Sequence, residues 1–124
     1  MGKRGPRLQH AALPYRLVNG RVEILLVTSR ETRRWIIPKG WDEKGVAPAD
    51  MAAREAYEEA GVRGRVARTP LGSYRYDKRL GPRKSVPCEV CVFLMEVTEE
   101  CADWPEKGQR SEERRVGKEC RSRW

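Results

Sequence analysis

Residues 48–61 read Pro48-Ala49-Asp50-Met51-Ala52-Ala53-Arg54-Glu55-Ala56-Tyr57-Glu58-Glu59-Ala60-Gly61. Proline suits the first helical position, where its missing N–H costs nothing, and Asp50 suits the positive end of the helix dipole. Gly61 suits the left-handed residue that follows a last turn. The stretch therefore predicts a helix over 48–60. Ala49, Ala52, Ala53, Ala56 and Ala60 recur at helical spacing and make a small-residue face that allows close approach to a sheet. Glu55, Glu58 and Glu59 fall within about 100° of arc on another side of the same helix, at about 100° per residue.

Upstream, Asn19-Gly20 separates two apolar stretches, 11–18 and 22–28, and is the strongest short signal for a hairpin of two antiparallel strands. Trp35-Ile36-Ile37 reads as a short strand ended by Pro38, with Trp35 in the core, and 39–47 as a loop. Downstream, 62–76 and 86–97 read as two further strands joined by a basic loop at 77–84. Strands, one capped helix and more strands predict an α+β fold with a mixed sheet. Residues 1–9 are expected as a basic flexible arm. In the tail, 111–124, the apolar Val116, Cys120 and Trp124 are spaced by four around Gly117, which predicts at best a weak helix and poor order.

A length of 124 residues is that of one domain. The longest uninterrupted apolar run, Val90-Cys91-Val92-Phe93-Leu94-Met95, is far short of the ~20 residues a membrane helix needs, and no apolar stretch follows the basic start. The expected address is the cytoplasm. There Cys88, Cys91, Cys101 and Cys120 are thiols. Cys88 and Cys91 have zinc-like spacing, but three residues apart in a strand they point to opposite faces. The net charge of +8 is unevenly spread. Residues 1–34 hold eight Lys/Arg against two Glu, residues 63–84 hold eight against Asp77, and residues 42–62 hold six acids against two basic residues. A uniformly basic chain points to nucleic acid. An acidic island between two basic stretches points instead to cations gathering a small polyanion around a carboxylate cluster.

That cluster is costly for a helix on its own. Glu55 and Glu59 repel as an i, i+4 pair by about 0.2–0.5 kcal/mol, and all three glutamates face the negative end of the dipole. Arg54 is placed to pair with Glu58 at i+4. A divalent cation supplies the missing charge, and clustered carboxylate oxygens suit a hard ion such as Mg²⁺ or Mn²⁺. Charge runs of this kind are often no more than a solvated face. The surrounding spacing decides against that reading.

From Gly40 the chain runs Gly40-Trp-Asp-Glu-Lys-Gly-Val46, then seven residues, then Arg54-Glu-Ala-Tyr-Glu-Glu-Ala-Gly-Val62. This resembles the Nudix box: Gly, five residues, Glu, seven residues, then Arg-Glu-apolar-any-Glu-Glu-any-Gly-apolar. Eight of its nine specified positions match. The six matching Gly, Arg and Glu positions coincide by chance at on the order of 10⁻⁷ in a given register, at ~7% usage each. The departure is Val46, where the pattern has Glu; Asp42 or Glu43 in the same segment is available to substitute. Leu25-Leu-Val-Thr-Ser-Arg30, Arg34-Trp-Ile-Ile-Pro38, Pro82-Arg-Lys84 and Val97-Thr-Glu-Glu-Cys-Ala-Asp-Trp104 are similar to the diphosphoinositol polyphosphate phosphohydrolase branch of that family. The resemblance covers about residues 10–110.

The resemblance implies a Nudix-like α/β/α sandwich over 10–110 whose closing C-terminal helix is missing, the natural C-terminus having been replaced by the tail. It implies Glu55 and Glu59 as Mg²⁺ or Mn²⁺ ligands, together with the main-chain carbonyl of Lys39. It makes Glu58 the general base, positioned with Arg54, and Gly40 and Gly61 the structural glycines of the box. Arg30, Lys39, Arg83 and Lys84 match substrate-binding positions, and guanidinium groups suit phosphate. His10 falls at a substrate-side position of the branch but reads more simply as a strand residue. The expected activity is metal-dependent hydrolysis of a phosphoanhydride, with a diphosphoinositol polyphosphate as first substrate and dinucleoside polyphosphates as the nearest rival. A non-catalytic, basic polyanion-binding module is the alternative from another class, and metal dependence separates the two.

Overall fold

Asn19 and Gly20 both take positive φ, 52° and 78°, the backbone of a two-residue hairpin whose twist matches that of its strands. They join β1 (Arg7–Val18) to β2 (Arg21–Thr28) in antiparallel register, Tyr15 opposite Ile24 and Val18 opposite Arg21. The computed structural model describes residues 5–29, 34–109 and 114–117. The remaining elements are β3 (Trp35–Ile36), β4 (Lys39–Trp41), α1 (Pro48–Ala60), β5 (Val62–Val66), β6 (Gly72–Gly81), β7 (Lys84–Glu100) and β8 (Arg114–Gly117).

The strands form one mixed sheet of order β3-β2-β1-β7-β5, with β4 on β1, β6 on β7 and β8 on β2. Its centre is the parallel pair β1 and β7, which runs from Arg7 opposite Cys88 to Tyr15 opposite Glu96. Each of these strands shares its outer edge between two partners. β1 takes β4 near its start and β2 near its end, and β7 takes β6 near its start and β5 near its end.

α1 packs on β1, β4 and β5. Ala49, Ala52, Ala56 and Ala60 bury against Ala12, Leu25, Val27, Val62, Phe93 and Met95; the small side chains bring the helix axis close enough for this contact. Ala53, expected on the same face, is only half-buried, and Met51 and Glu59 are buried beside it. Gly61 closes the helix in the left-handed conformation, φ 69°, with its N–H directed at the Ala56 and Tyr57 carbonyls. The segment after β7 folds back over this end. Cys101 N–H donates to the Gly61 carbonyl at 2.7 Å and Glu106 N–H to the Glu58 carbonyl at 3.0 Å, while the Trp104 ring occupies the space a Cβ on Gly61 would need.

Several expectations are corrected. Residues 39–41, read as a loop, form β4, because β1 begins at Arg7 and offers its first residues as a partner; the arm expected over 1–9 thus ends in the sheet. The stretch 62–76 is two strands on one long partner, not one. The basic loop expected at 77–84 is the end of a hairpin whose strands run to Gly81 and from Lys84. Trp35 is not core: it is 44% exposed, on a two-residue strand paired with β2. Arg114–Gly117 pair with β2 as a strand where a weak helix was expected; 111–113 and 118–124 lie outside the described residues. Cys88, Cys91 and Cys101 are free thiols, and Cys120 lies outside the described residues. Among the described residues α1 is the one helix, and no helix is long and apolar enough to cross a membrane.

Gly61→Ala forces an L side chain into the left-handed region, at a cost of about 1–2 kcal/mol, and drives its methyl into Trp104. Urea denaturation should show at least that loss of stability.

Candidate active site

Antiparallel pairing places His10 opposite Gly40 and Ala11 opposite Lys39. α1 crosses beside this edge and carries Glu55 to it. An ideal Cβ built on Gly40 would lie 2.6 Å from Glu55 Oε2, so only glycine lets the carboxylate come this close to the strand. Glu55, Gly40 and the Lys39 peptide, 16 residues apart at the extremes, are thereby brought together.

Glu59 is buried, Glu55 and Glu58 are half-buried and Arg54 is exposed. Burial raises the Glu55 carboxyl above the ordinary carboxylate range. A hydrogen bond with Glu59 and the charge of Arg54 pull it down, and the charge of Glu58 pushes it further up. Two carboxylates within hydrogen-bond reach, one of them buried, need a proton or a cation between them. The donors are all hard oxygens and so fit Mg²⁺ or Mn²⁺. Among the described residues no group of three or more His, Cys, Asp or Glu side chains is arranged to hold a metal. A Mg²⁺ ion needs only one or two carboxylates from a protein, its other positions being filled by water and substrate phosphate.

Arg54 does not adopt the expected pair with Glu58. Its Nη2 donates to Glu43 Oε1 at 2.6 Å and lies 3.1 Å from Met51 Sδ, while Glu58 and Glu55 act on it as charges. The reason is a turn at 43–46, where Val46 N–H donates to the Glu43 carbonyl and Gly45 takes φ 86°. The turn carries Glu43 back over the helix, where a charge-assisted hydrogen bond forms. Of the two acids available to stand in for Val46, Glu43 is thus the one that reaches Arg54. Asp42 accepts from His10 Nε2 at 2.8 Å. His10 is a buried strand residue, edge-on to Phe93, with its Nδ1 buried and lacking a hydrogen-bond partner.

The proposed phosphate-binding residues are dispersed. Lys39 begins β4, with its Nζ 5.4 Å from the Tyr76 ring centroid. Arg83 and Lys84 stand exposed at the tip of the β6–β7 hairpin. Lys84 is four residues before Cys88, the partner of Arg7, or about 13 Å at the ~3.3 Å rise of a strand. Arg30 lies outside the described residues.

Two contacts near Lys39 have no signature in the sequence. The Arg7 guanidinium lies over the Trp41 ring at 4.5 Å and the Lys78 ammonium at 5.9 Å. The Tyr76 hydroxyl donates to Gln9 Oε1 at 2.6 Å, and burial pushes that phenol up to about 12. These residues come from three strands between positions 7 and 78, and no local pattern announces them.

The family model for the NUDIX domain matches residues 8–120. The chain is 32% identical over 143 residues to "Nudix hydrolase 12, mitochondrial" of Arabidopsis thaliana, covering 95% of this chain and 68% of that protein. It is 41% identical over 83 residues to "Diphosphoinositol polyphosphate phosphohydrolase 3-alpha" of Mus musculus, covering 66% of this chain and about half, 46%, of that protein. A crystal structure of a MutT/nudix family protein from Enterococcus faecalis shares the fold, with a TM-score of 0.69 at 18% identity over 94% of this chain and 46% of that one.

A methyl on Gly40 meets the flexible end of Glu55, so Gly40→Ala should displace that carboxylate and leave the fold intact. Mn²⁺ affinity, followed by electron paramagnetic resonance, should fall about tenfold or more, the scale seen when the support of a ligand is lost, with the circular dichroism spectrum unchanged.

Proposed function

This chain belongs to the Nudix hydrolase family, and we propose that it hydrolyses a phosphoanhydride in a Mg²⁺- or Mn²⁺-dependent reaction, with a diphosphoinositol polyphosphate as its substrate. The observation that carries the reading is the Glu55 carboxylate seated against Gly40. It brings a glutamate of α1 beside the Lys39–Gly40 peptide, which supports the ligand set that the family resemblance implies.

Glu55, Glu59 and the Lys39 carbonyl would hold the ion, which when bound neutralises phosphate charge and lowers the pKa of water. Glu58 accepts the proton of the attacking water. The water oxygen bonds to phosphorus, the bridging P–O bond breaks, and the leaving phosphate takes the electron pair. Glu58 is steadied by its own backbone, whose carbonyl receives Glu106 N–H. Because Glu43 occupies the Arg54 guanidinium, Glu58 is not tied up in a helical ion pair. Lys39, Arg83 and Lys84 supply positive charge for the phosphates. The substrate class is supported by the basic stretch 63–84 and by the similarity to the mouse phosphohydrolase.

Phosphate release from diphosphoinositol polyphosphates, dinucleoside polyphosphates and nucleotide sugars, with Mg²⁺ and then with EDTA, tests the reading. Metal-dependent release, fastest from the diphosphoinositol polyphosphates, is expected. Preference for dinucleoside polyphosphates would correct the substrate, and silence from folded protein would make the chain a polyanion-binding module. Glu58→Gln, nearly isosteric, should lower turnover by roughly 10²–10⁴ without loss of fold.

A further inference from the structure

Side chains alternate across a strand. Gly40 faces α1 and Glu55, so its neighbours Lys39 and Trp41 present their side chains to the other face of the sheet. Among the described residues β4 is an edge strand there, paired with β1 alone, and its margin connects the carboxylate cluster on one face with the residues on the other.

On that other face Arg7 and Gln9 of β1, Lys39 and Trp41 of β4, and Tyr76 and Lys78 of β6 come together. The Arg7 guanidinium and the Lys78 ammonium both lie over Trp41, and neither makes an ion pair with a described residue. An aromatic ring attracts a cation through its quadrupole but leaves its charge uncancelled. Tyr76, anchored by its hydrogen bond to Gln9, stands 5.4 Å from the Lys39 ammonium beside them. Two cations, Arg7 and Lys78, are therefore pre-positioned on a ring without being neutralised by a described residue, on the face that Trp41 shares and one residue from Gly40. Lys84 falls in the same alternating row of β7 as Val86, the partner of Lys78, and extends the patch outward.

We infer that Arg7, Lys78 and Trp41, with Lys39, form a subsite for the non-reacting phosphates of the substrate, and that it selects a phosphate-dense group over a nucleobase. A base stacking on Trp41 from the cation side must displace the guanidinium that now covers it, whereas a phosphate meets the cations where they stand. Arg7 and Lys78 act here as specificity residues, away from the reacting bond. The inference rests on the hydrolase reading for its biological sense, but its test does not need turnover.

Binding of myo-inositol hexakisphosphate and of diadenosine tetraphosphate is measured by calorimetry in EDTA, with wild-type chain and with Arg7→Gln/Lys78→Gln. The double variant should bind the hexakisphosphate about tenfold or more weakly, as expected when charge-assisted contacts are lost, with a shallower salt dependence, and diadenosine tetraphosphate within about twofold of wild type. Lys78→Gln alone, on an exposed stretch of β6, should show part of the same selective loss and serves if the double variant does not fold. Unchanged hexakisphosphate binding, or equal loss for both ligands, overturns the subsite. So does a Trp41→Leu variant that loses only the dinucleotide, since that would place a base on the ring. An inactive hydrolase that retains the selective loss would refute the catalytic reading and leave the subsite standing.

Discussion

The parallel pairing of β1 with β7 is the constraint on which everything else depends. It brings residues 7–15 beside 88–96, some 80 positions away, and makes two long central strands out of the two ends of the domain. Each central strand is longer than any one of its outer partners, and each outer edge is divided. β2 and β4 divide one outer edge and β5 and β6 the other, and α1 packs on β1, β4 and β5. A single full-length partner for β1 would leave no place for β4, and Gly40 would not meet Glu55.

The electrostatics of the helix follow from that placement. Three glutamates in the C-terminal half of α1 work against the dipole and against each other. Part of the cost is offset locally, by Glu106 N–H on the Glu58 carbonyl. Part is borne by Glu55, whose half-buried carboxyl is pushed up by desolvation. Arg54 contributes less to the glutamates than its position suggests because Glu43 holds it. The loop that departs from the family pattern at Val46 still delivers an acid to the same arginine, from three residues earlier and through a turn that needs the positive φ of Gly45.

The helix and its limits were legible in the sequence, because Pro48, the alanine period and Gly61 act over single turns, where neighbours along the chain are neighbours in space. The hairpin at Asn19-Gly20 was legible for the same reason, and so was the grouping of Glu55, Glu58 and Glu59. The boundaries of 62–76 and 77–84 were not. Where a strand breaks or continues depends on the partner beside it, and β7 was long enough to pair with two. Trp35 looked like core because it is large and apolar, yet its burial depended on what its short strand pairs with.

What the sequence determined by itself is the chemistry: a box spacing that belongs to one family, carboxylates on one helical face, and positive charge on either side of them. These are properties of residue type and local period. What only the tertiary structure decided is who meets whom: Glu43 and not Glu58 on Arg54, Asp42 on His10, Glu55 on Gly40, and Arg7 with Lys78 on Trp41. Each of these contacts crosses between elements whose register is set by sheet pairing. Register is a collective property of the whole set of strands, so no short stretch of the chain contains it.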